Sequence, residues 1–186
     1  MSTNVQNNTK KLVFSAAAIA LATVISVAIK LPSLPNGGSV TLFSMLCICL
    51  IGHWYGLKTG LAAAFAYGIL QFITGPYVVH PAQVLLDYPL AFGALGLSGA
   101  FSNAKHGLIK GYIVGVLGRF AFHMVSGLIF YTSYVDTFEG NVAAVWASTL
   151  YNMSYIFPEA VLTIILLAVP AVRNGLEKIK CMASEN

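Results

Sequence analysis

Long apolar runs alternate along the chain with short polar or glycine- and proline-rich segments. Because about twenty apolar residues span a bilayer, these runs predict membrane helices. The second and third runs are short, and we expect them to tilt or to lie partly inside the protein. The pattern predicts a single all-α domain, residues 1–186, with six transmembrane helices over approximately 12–29, 40–53, 61–73, 84–101, 108–131 and 142–172.

The composition supports an integral membrane protein. Hydrophobic residues make up 58% of the 186 residues and charged residues only 9%, whereas a soluble domain carries about 25% charge. The net charge of +4 lies mainly in loops and tails, so it indicates topology and not nucleic-acid binding. The polar start of the chain and the lack of a clear cleavage site predict that no signal peptide is removed.

Basic residues are distributed unevenly between the two predicted sides of the membrane. Six spans place both termini on one side, and eight of the ten Lys and Arg residues fall there. Lys30 falls on the other side, and Arg119 lies within a span. Since cytoplasmic loops carry the excess of basic residues, we predict cytoplasmic termini. The eight residues are Lys10, Lys11, Lys58, Lys105, Lys110, Arg173, Lys178 and Lys180.

The fourth predicted helix, VLLDYPLAFGALGLSGAF, contains polar groups where a span is normally apolar. A carboxylate inside a span costs roughly 2.5–3.5 kcal/mol on insertion scales, so Asp87 is a candidate functional residue. Pro89 leaves a backbone carbonyl of the preceding turn without its usual partner, which gives the acid a polar neighbourhood. The glycines Gly93, Gly96 and Gly99 predict a smooth face for close helix packing.

With the predicted orientation, polar and aromatic residues of three helices gather near the outer surface. The acid and the tyrosine beside it lie about one turn below that surface, and the histidine and asparagine of the last two helices about two turns below. We therefore predict an outward-facing pocket for a small polar ligand. Its candidate residues are Asp87, Tyr88, His123, Tyr131, Trp146 and Asn152.

Each candidate also has a purely structural interpretation. Asp87 could pair with Arg119 to hold helices together, or Arg119 could support a binding acid by keeping it ionised. His123 and Asn152 could serve helix packing, and the aromatic residues could form an interfacial belt. Glu159, deeper on the sixth helix, could pair with Arg119 or line the route inward.

Two other segments and several missing motifs bear on function. The Leu31–Ser39 loop, rich in Pro and Gly, predicts either a lid or an ordinary flexible turn. Ala16 and Ala20 form a small-residue ridge on the first helix that could meet another membrane subunit. The three cysteines form neither a metal-ligand set nor a disulfide framework. No metal site, cofactor or catalytic constellation is predicted, which argues against an enzyme.

These features together resemble a known family. The alanine ridge, LLDYPLAFGALGLSGAF, RFAFHMVSGLIFY and the later YN pair are similar to the thiamine-specific substrate-binding (S) components of energy-coupling factor (ECF) vitamin transporters, over roughly Ser15 to Val172. The resemblance implies a multi-pass protein of a prokaryotic plasma membrane that captures thiamine from outside. It also implies a separate membrane scaffold subunit and two cytoplasmic ATPases that drive release.

The resemblance also implies roles for individual residues. Arg119 would be the basic partner of the acid, and Ala16 and Ala20 would face the scaffold subunit. Four features depart from the family pattern. Asp87 stands where a glutamate also occurs, and Tyr131 and the Gly37-Gly38 pair stand where a tryptophan can occur. Ala147, beside Trp146, stands at an aromatic position. The implied ligand contacts are Asp87, Tyr88, His123, Tyr131 and Asn152.

The chemistry of thiamine agrees with this set of residues. Its thiazolium ring is permanently cationic, which a carboxylate in a low-dielectric pocket and stacked aromatic faces both favour. His123 and Asn152 can donate to and accept from the aminopyrimidine edge. Two alternatives stay open: an S component for another small vitamin or a pyrimidine precursor, and a self-sufficient carrier that uses Asp87 and Glu159, although no inverted repeat is evident.

Overall fold

The computed structural model describes residues 2–29, 34, 38–130 and 141–184. The described residues form seven helices, which confirms the all-α fold class. They are α1 (Ser2–Ala28), α2 (Ser44–Tyr55), α3 (Leu57–Thr74), α4 (Pro81–Phe101), α5 (Gly107–Phe130), α6 (Asn141–Ala168) and α7 (Pro170–Ser184).

The first six helices run alternately between two ends of the molecule. The end of α1, the start of α4 and the end of α5 contribute Ser26, Gln83 and Ser126 to one cavity. At the opposite end, the beginning of α1 lies close to the last residues of α7, and the Tyr55 hydroxyl donates a 3.3 Å hydrogen bond to the Ala183 carbonyl. The two ends of the described chain therefore lie on the side away from the cavity.

Five of the helices are long and apolar enough to cross a membrane. These are α1, α3, α4, α5 and α6, whereas α2 has only 12 residues. Ten residues of α2 are buried, so neighbouring helices enclose it and little of it faces lipid. The backbone before α2 can be non-helical at membrane depth because it is covered by protein or lines the cavity. A sixth complete crossing stays a prediction.

The sixth predicted span, 142–172, covers parts of two helices in the structure. Helix α6 ends at Ala168, and α7 begins at Pro170. A proline cannot donate the hydrogen bond that would continue α6, but it suits the first position of a new helix. Helix α7 is amphipathic and carries Arg173, Glu177 and Lys180, so it does not extend the apolar span.

Helix α4 packs closely on its neighbours through two of the three predicted glycines, since a Cβ atom on Gly93 would be 4.0 Å from its nearest neighbour, the Phe65 Cα atom. A Cβ atom on Gly96 would lie 2.5 Å from the Gly60 carbonyl oxygen of α3. Similarly, a Cβ atom on Gly99 would lie 2.6 Å from the Gly56 carbonyl oxygen. Such short backbone distances are possible only without side chains, so these glycines fix the position of α4 beside α3.

We expect Gly96→Ala to destabilise the protein, because overpacking a close contact costs about 1–3 kcal/mol. The thermal unfolding temperature of the purified protein in detergent should fall by several degrees. Gly175→Ala in α7 is the matched control, since no other described part of the chain comes within 4 Å of the added methyl group, apart from the neighbouring residues and backbone of α7 itself. Equal unfolding temperatures for the two variants would contradict the proposed packing.

Candidate functional site

A cavity of about 330 Å³ lies at the end of the bundle opposite the termini. Its volume falls within the range of about 300–1,000 Å³ that is typical of small-molecule sites. Helices α1, α3, α4, α5 and α6 and the segment before α2 all contribute to its wall. The polar and aromatic lining includes Ser26, Thr41, Gln71, Tyr77, Gln83, Asp87, Tyr88, Phe92, Arg119, His123, Ser148, Tyr151, Asn152 and Tyr155.

Asp87 lies in an irregular part of α4. The helix starts as an α-helical turn, widens into a π-helical turn at Leu86–Leu90, and ends as a 3₁₀ helix at Ala94–Phe101. Pro89 lies inside the π-helical turn and cannot donate a backbone hydrogen bond. Single π-helical turns of this kind often occur at functional sites.

Two side chains hold the Asp87 carboxylate. His123 Nδ1 lies 3.0 Å from Oδ1, and Gln83 Nε2 donates a 2.6 Å hydrogen bond to Oδ2. Each carboxylate oxygen therefore has one protein donor and keeps a further lone pair. This arrangement compensates part of the cost of placing the acid inside the bundle.

Arg119 acts on Asp87 through His123. The Arg119 Nε atom donates a 3.4 Å hydrogen bond to His123 Nε2, and its guanidinium carbon lies 4.2 Å from the centre of the Phe92 ring. Since Nε2 accepts, the network assigns the proton of a neutral His123 to Nδ1, which donates to Asp87. In the described part of the chain, no Arg or Lys nitrogen lies within 4.0 Å of the Asp87 carboxylate.

Tyr88 lines the cavity, and its hydroxyl group is used by the connection between α3 and α4. It accepts a 2.7 Å hydrogen bond from the Tyr77 backbone N–H and donates to the Gly75 carbonyl at 3.3 Å. The ring packs edge-on against Phe72. Tyr88 therefore offers its ring, and not a free hydroxyl group, to a ligand.

Asn152 is buried in the α6 wall of the cavity. Its amide donates to the Ser148 carbonyl at 2.9 Å and to the Ser148 hydroxyl at 3.3 Å. Its carbonyl oxygen accepts a 2.6 Å hydrogen bond from the Tyr155 hydroxyl. Nearby, the Tyr151 hydroxyl accepts a 2.8 Å hydrogen bond from the Gly38 N–H, which attaches the segment before α2 to α6.

The structure does not bring every predicted site residue to the cavity. Trp146 is 62% exposed and absent from the lining, where the adjacent Ala147 takes its place. Tyr131 and most of the Leu31–Ser39 loop lie outside the described residues. The predicted roles of Tyr131 and of this loop stay predictions.

Sequence reasoning missed Gln83, which is 1% exposed and in direct contact with the acid. The signal was present, since Gln83 and Asp87 are four residues apart and share one helix face. The polar partners of Asn152 could have been recognised in the same way, since Ser148 lies four residues before it and Tyr155 three residues after it on α6.

Glu159 has a structural environment that sequence reasoning left open. Its carboxylate accepts hydrogen bonds from the Thr41 hydroxyl at 3.0 Å, the Ser44 hydroxyl at 3.3 Å and the Met45 N–H at 3.0 Å. These groups lie at the start of α2, where a negative charge satisfies free N–H groups and the helix dipole. Glu159 therefore fixes the N-terminus of α2 and makes no ion pair with Arg119.

A family model described as thiamine transporter protein matches residues 12–177 of the chain. The chain belongs to this family. The match covers all the cavity-lining residues and all of α2 to α6.

Individual relatives also support the membership of this chain in the thiamine transporter family. Thiamine transporter ThiT of Bacillus subtilis is 32% identical over 151 residues, which cover 74% of this chain and 77% of the relative. ThiT of Lacticaseibacillus paracasei is 28% identical over 144 residues, 68% of this chain and 70% of the relative. A solved structure of ThiT from Listeria monocytogenes has a TM-score of 0.62 and 26% identity, covering 87% of this chain and 96% of that one.

Membership of the thiamine transporter family confirms several predictions. The predicted resemblance is correct, and the family is one of transporters and not of enzymes. Together with five apolar helices of spanning length, it confirms a multi-pass protein of the bacterial plasma membrane. The chain is therefore a membrane protein for thiamine uptake.

We expect Glu159→Ala to destabilise the protein, because it leaves several hydrogen-bonding groups around the start of α2 without their acceptor. Hydrogen bonds to a charged group contribute about 1.5–3 kcal/mol each, so the thermal unfolding temperature in detergent should fall by several degrees. Glu177→Ala is the control. Glu177 is 54% exposed and its contact with His53 Nε2 is long, at 3.7 Å, so its removal should change that temperature less than Glu159→Ala does. An unchanged temperature for Glu159→Ala would contradict its capping role.

Proposed function

We propose that the chain is the thiamine-binding S component of an ECF-type vitamin transporter. The observation that carries this proposal is the Asp87 carboxylate in the cavity wall. His123 and Gln83 hold it, and among the residues that the structure describes no Arg or Lys side chain contacts it directly. A ligand that brings its own positive charge supplies the missing counter-charge. Thiamine has such a charge in its thiazolium ring.

The rest of the cavity wall suits a flat ligand with two rings. Tyr88, Phe92, Tyr151 and Tyr155 provide aromatic surface close to the acid, and aromatic faces attract cations and stack on planar rings. Asn152 lines the cavity beside them, and its carbonyl oxygen keeps one lone pair for a heterocycle edge beyond the hydrogen bond from Tyr155. The relatives ThiT of Bacillus subtilis and of Lacticaseibacillus paracasei are named as thiamine transporters, which supports thiamine as the ligand.

The charge distribution supports a cavity that opens to the outside. Basic residues lie around two hollows at the end away from the cavity, including Lys10, Lys11, Arg173 and Lys180. The excess of basic residues marks the cytoplasmic side of a membrane protein. We therefore propose that both termini are cytoplasmic and that the cavity takes its ligand from the outer side.

The exposed small residues of α1 support the proposal that a membrane scaffold subunit is a partner. Ala18 and Ala22 of this helix are 8% and 0% exposed and pack on the core, whereas Ala16 and Ala20 are exposed on its outer side. A ridge of small residues on an exposed helix face permits close approach of another helix. We propose that Ala16 and Ala20 contact the scaffold, through which two ATPases drive release.

The alternative of a self-sufficient carrier receives less support from the cavity. Such a carrier would use a second acid that can exchange protons or ions with the transport route. Glu159, the candidate for this role, is 1% exposed and is committed to the start of α2 through three hydrogen bonds.

We expect Asp87→Asn to weaken thiamine binding by about 10- to 100-fold, because charge-assisted contacts contribute about 1.5–3 kcal/mol. Isothermal titration calorimetry of the purified protein in detergent measures the dissociation constant. Glu177→Gln, at the opposite end of the molecule, should bind as the wild type does. Wild-type affinity for Asp87→Asn would exclude the proposed role of the charge.

We expect Ala16→Trp and Ala20→Trp to leave thiamine binding unchanged and to reduce uptake to background, because a large side chain prevents close helix docking. Uptake of labelled thiamine is measured in cells that produce the chain together with its host's scaffold and ATPase subunits. Ala66→Trp, at an exposed alanine of α3, is the control for adding a tryptophan at the lipid-facing surface. Full uptake by both α1 variants would show that α1 is not the docking surface.

A further inference from the structure

We infer that Gln83 is a positioning residue that sets the preference of the cavity for a cationic ligand. This inference rests on the proposed function and names a residue that acts through Asp87. Gln83 is 1% exposed, and both the nitrogen and the oxygen of its side-chain amide form hydrogen bonds. Its Nε2 atom donates to Asp87 Oδ2 at 2.6 Å and to the Tyr77 carbonyl at 3.3 Å, and its Oε1 accepts from the Val79 N–H at 3.1 Å.

These contacts fix the plane of the Asp87 carboxylate. His123 holds one carboxylate oxygen at 3.0 Å and Gln83 holds the other, so rotation of the carboxylate breaks one of the two hydrogen bonds. The remaining lone pairs then have a defined direction. A fixed negative charge costs no reorganisation when a cation arrives, which is the advantage of preorganisation in binding.

Gln83 also connects the acid to the chain between α3 and α4. The Tyr77 and Val79 backbone groups that it contacts belong to the same segment whose N–H at Tyr77 binds the Tyr88 hydroxyl. Asp87 and Tyr88 are thus attached to this segment at two independent points. The segment contributes Tyr77 to the cavity wall, so Gln83 places the charge and part of the wall relative to each other.

The contact is a short amide-to-carboxylate hydrogen bond inside the bundle. An uncharged donor leaves the negative charge of Asp87 available to the ligand, whereas a lysine or arginine at position 83 would neutralise it. The residue type therefore fits a site that must hold an acid in place and still attract a cation.

The inference is tested with two ligands, thiamine and a neutral analogue in which a thiophene ring replaces the thiazolium. Gln83→Met preserves the volume and removes the hydrogen bonds. We expect its thiamine dissociation constant to rise about 10-fold or more, by the usual strength of a charge-assisted hydrogen bond. The constant for the neutral analogue should rise less than about 3-fold, because that ligand gains little from a fixed charge.

Gln71→Met is the matched control. Gln71 also lines the cavity, but its amide donates to the Ser26 hydroxyl at 2.8 Å and not to Asp87. Gln71→Met should therefore change the binding of both ligands by the same factor. Gln83→Asn, which keeps an amide but is too short to span the same contacts, is measured alongside and should show the same selective loss even if the methionine variant folds poorly.

A double-mutant cycle isolates the link to the acid. In the Asp87→Asn background, Gln83→Met should change thiamine binding by less than about 2-fold, since the charge that Gln83 positions is gone. Equal losses for thiamine and the neutral analogue in both Gln83 variants would overturn the inference and leave the proposed function intact. Failure of the wild type to bind thiamine would overturn both.

Discussion

The negative charge of Asp87 is the constraint around which the cavity is built. An isolated carboxylate in a low-dielectric environment is strongly unfavourable, so its oxygens need donors from neighbouring helices. His123 reaches one oxygen from α5 and Gln83 reaches the other from the preceding turn of α4. Arg119 then contacts His123 and rests on Phe92, so one acid organises side chains over two helices.

Glu159, the second acid inside the helical bundle, has a different role, which is to stabilise the start of α2. Helix α2 has only 12 residues, and its first N–H groups lie inside the protein. The Glu159 carboxylate accepts a hydrogen bond from one of these groups, the Met45 N–H, and further hydrogen bonds from the Thr41 and Ser44 hydroxyl groups. The two acids of the membrane region thus have separate tasks, since Asp87 faces the cavity and Glu159 holds the helix beside it.

The sequence allowed the all-α class and most helices to be predicted because apolar length is a strong signal. It also predicted that Asp87, His123 and Asn152 would lie around one pocket, because the order of the spans determines the end and the depth of each residue, and all three line the cavity. The break at Val169 was missed, since the apolar run continues through it and only Pro170 marks the end of α6. Gln83, one of the two side chains that hold Asp87, was also missed, because an uncharged residue is a weaker signal than the charged Arg119.

Side-chain direction was the least predictable property. Trp146 and Ala147 are neighbours, yet only the alanine lines the cavity, because the rotation of α6 about its axis depends on packing and not on span position. Similarly, the alanines of α1 at 16, 18, 20 and 22 fit two ridges by spacing alone. Burial then distinguishes the pair that packs on the core from the pair that is exposed.

The cavity wall contains two kinds of positions with different freedom to change during evolution. Tyr88, Gln83 and Asn152 already use polar atoms to hold the protein together, so replacing any of them disturbs the packing of the protein as well as the cavity wall. Ala147 has a side chain without polar atoms, and a larger residue there would mainly reduce the space available to the ligand. A change in the shape of the cavity is therefore easiest to accommodate at Ala147, whereas Asp87, His123 and Gln83 depend on one another, so replacing one of them leaves a buried polar partner unsatisfied.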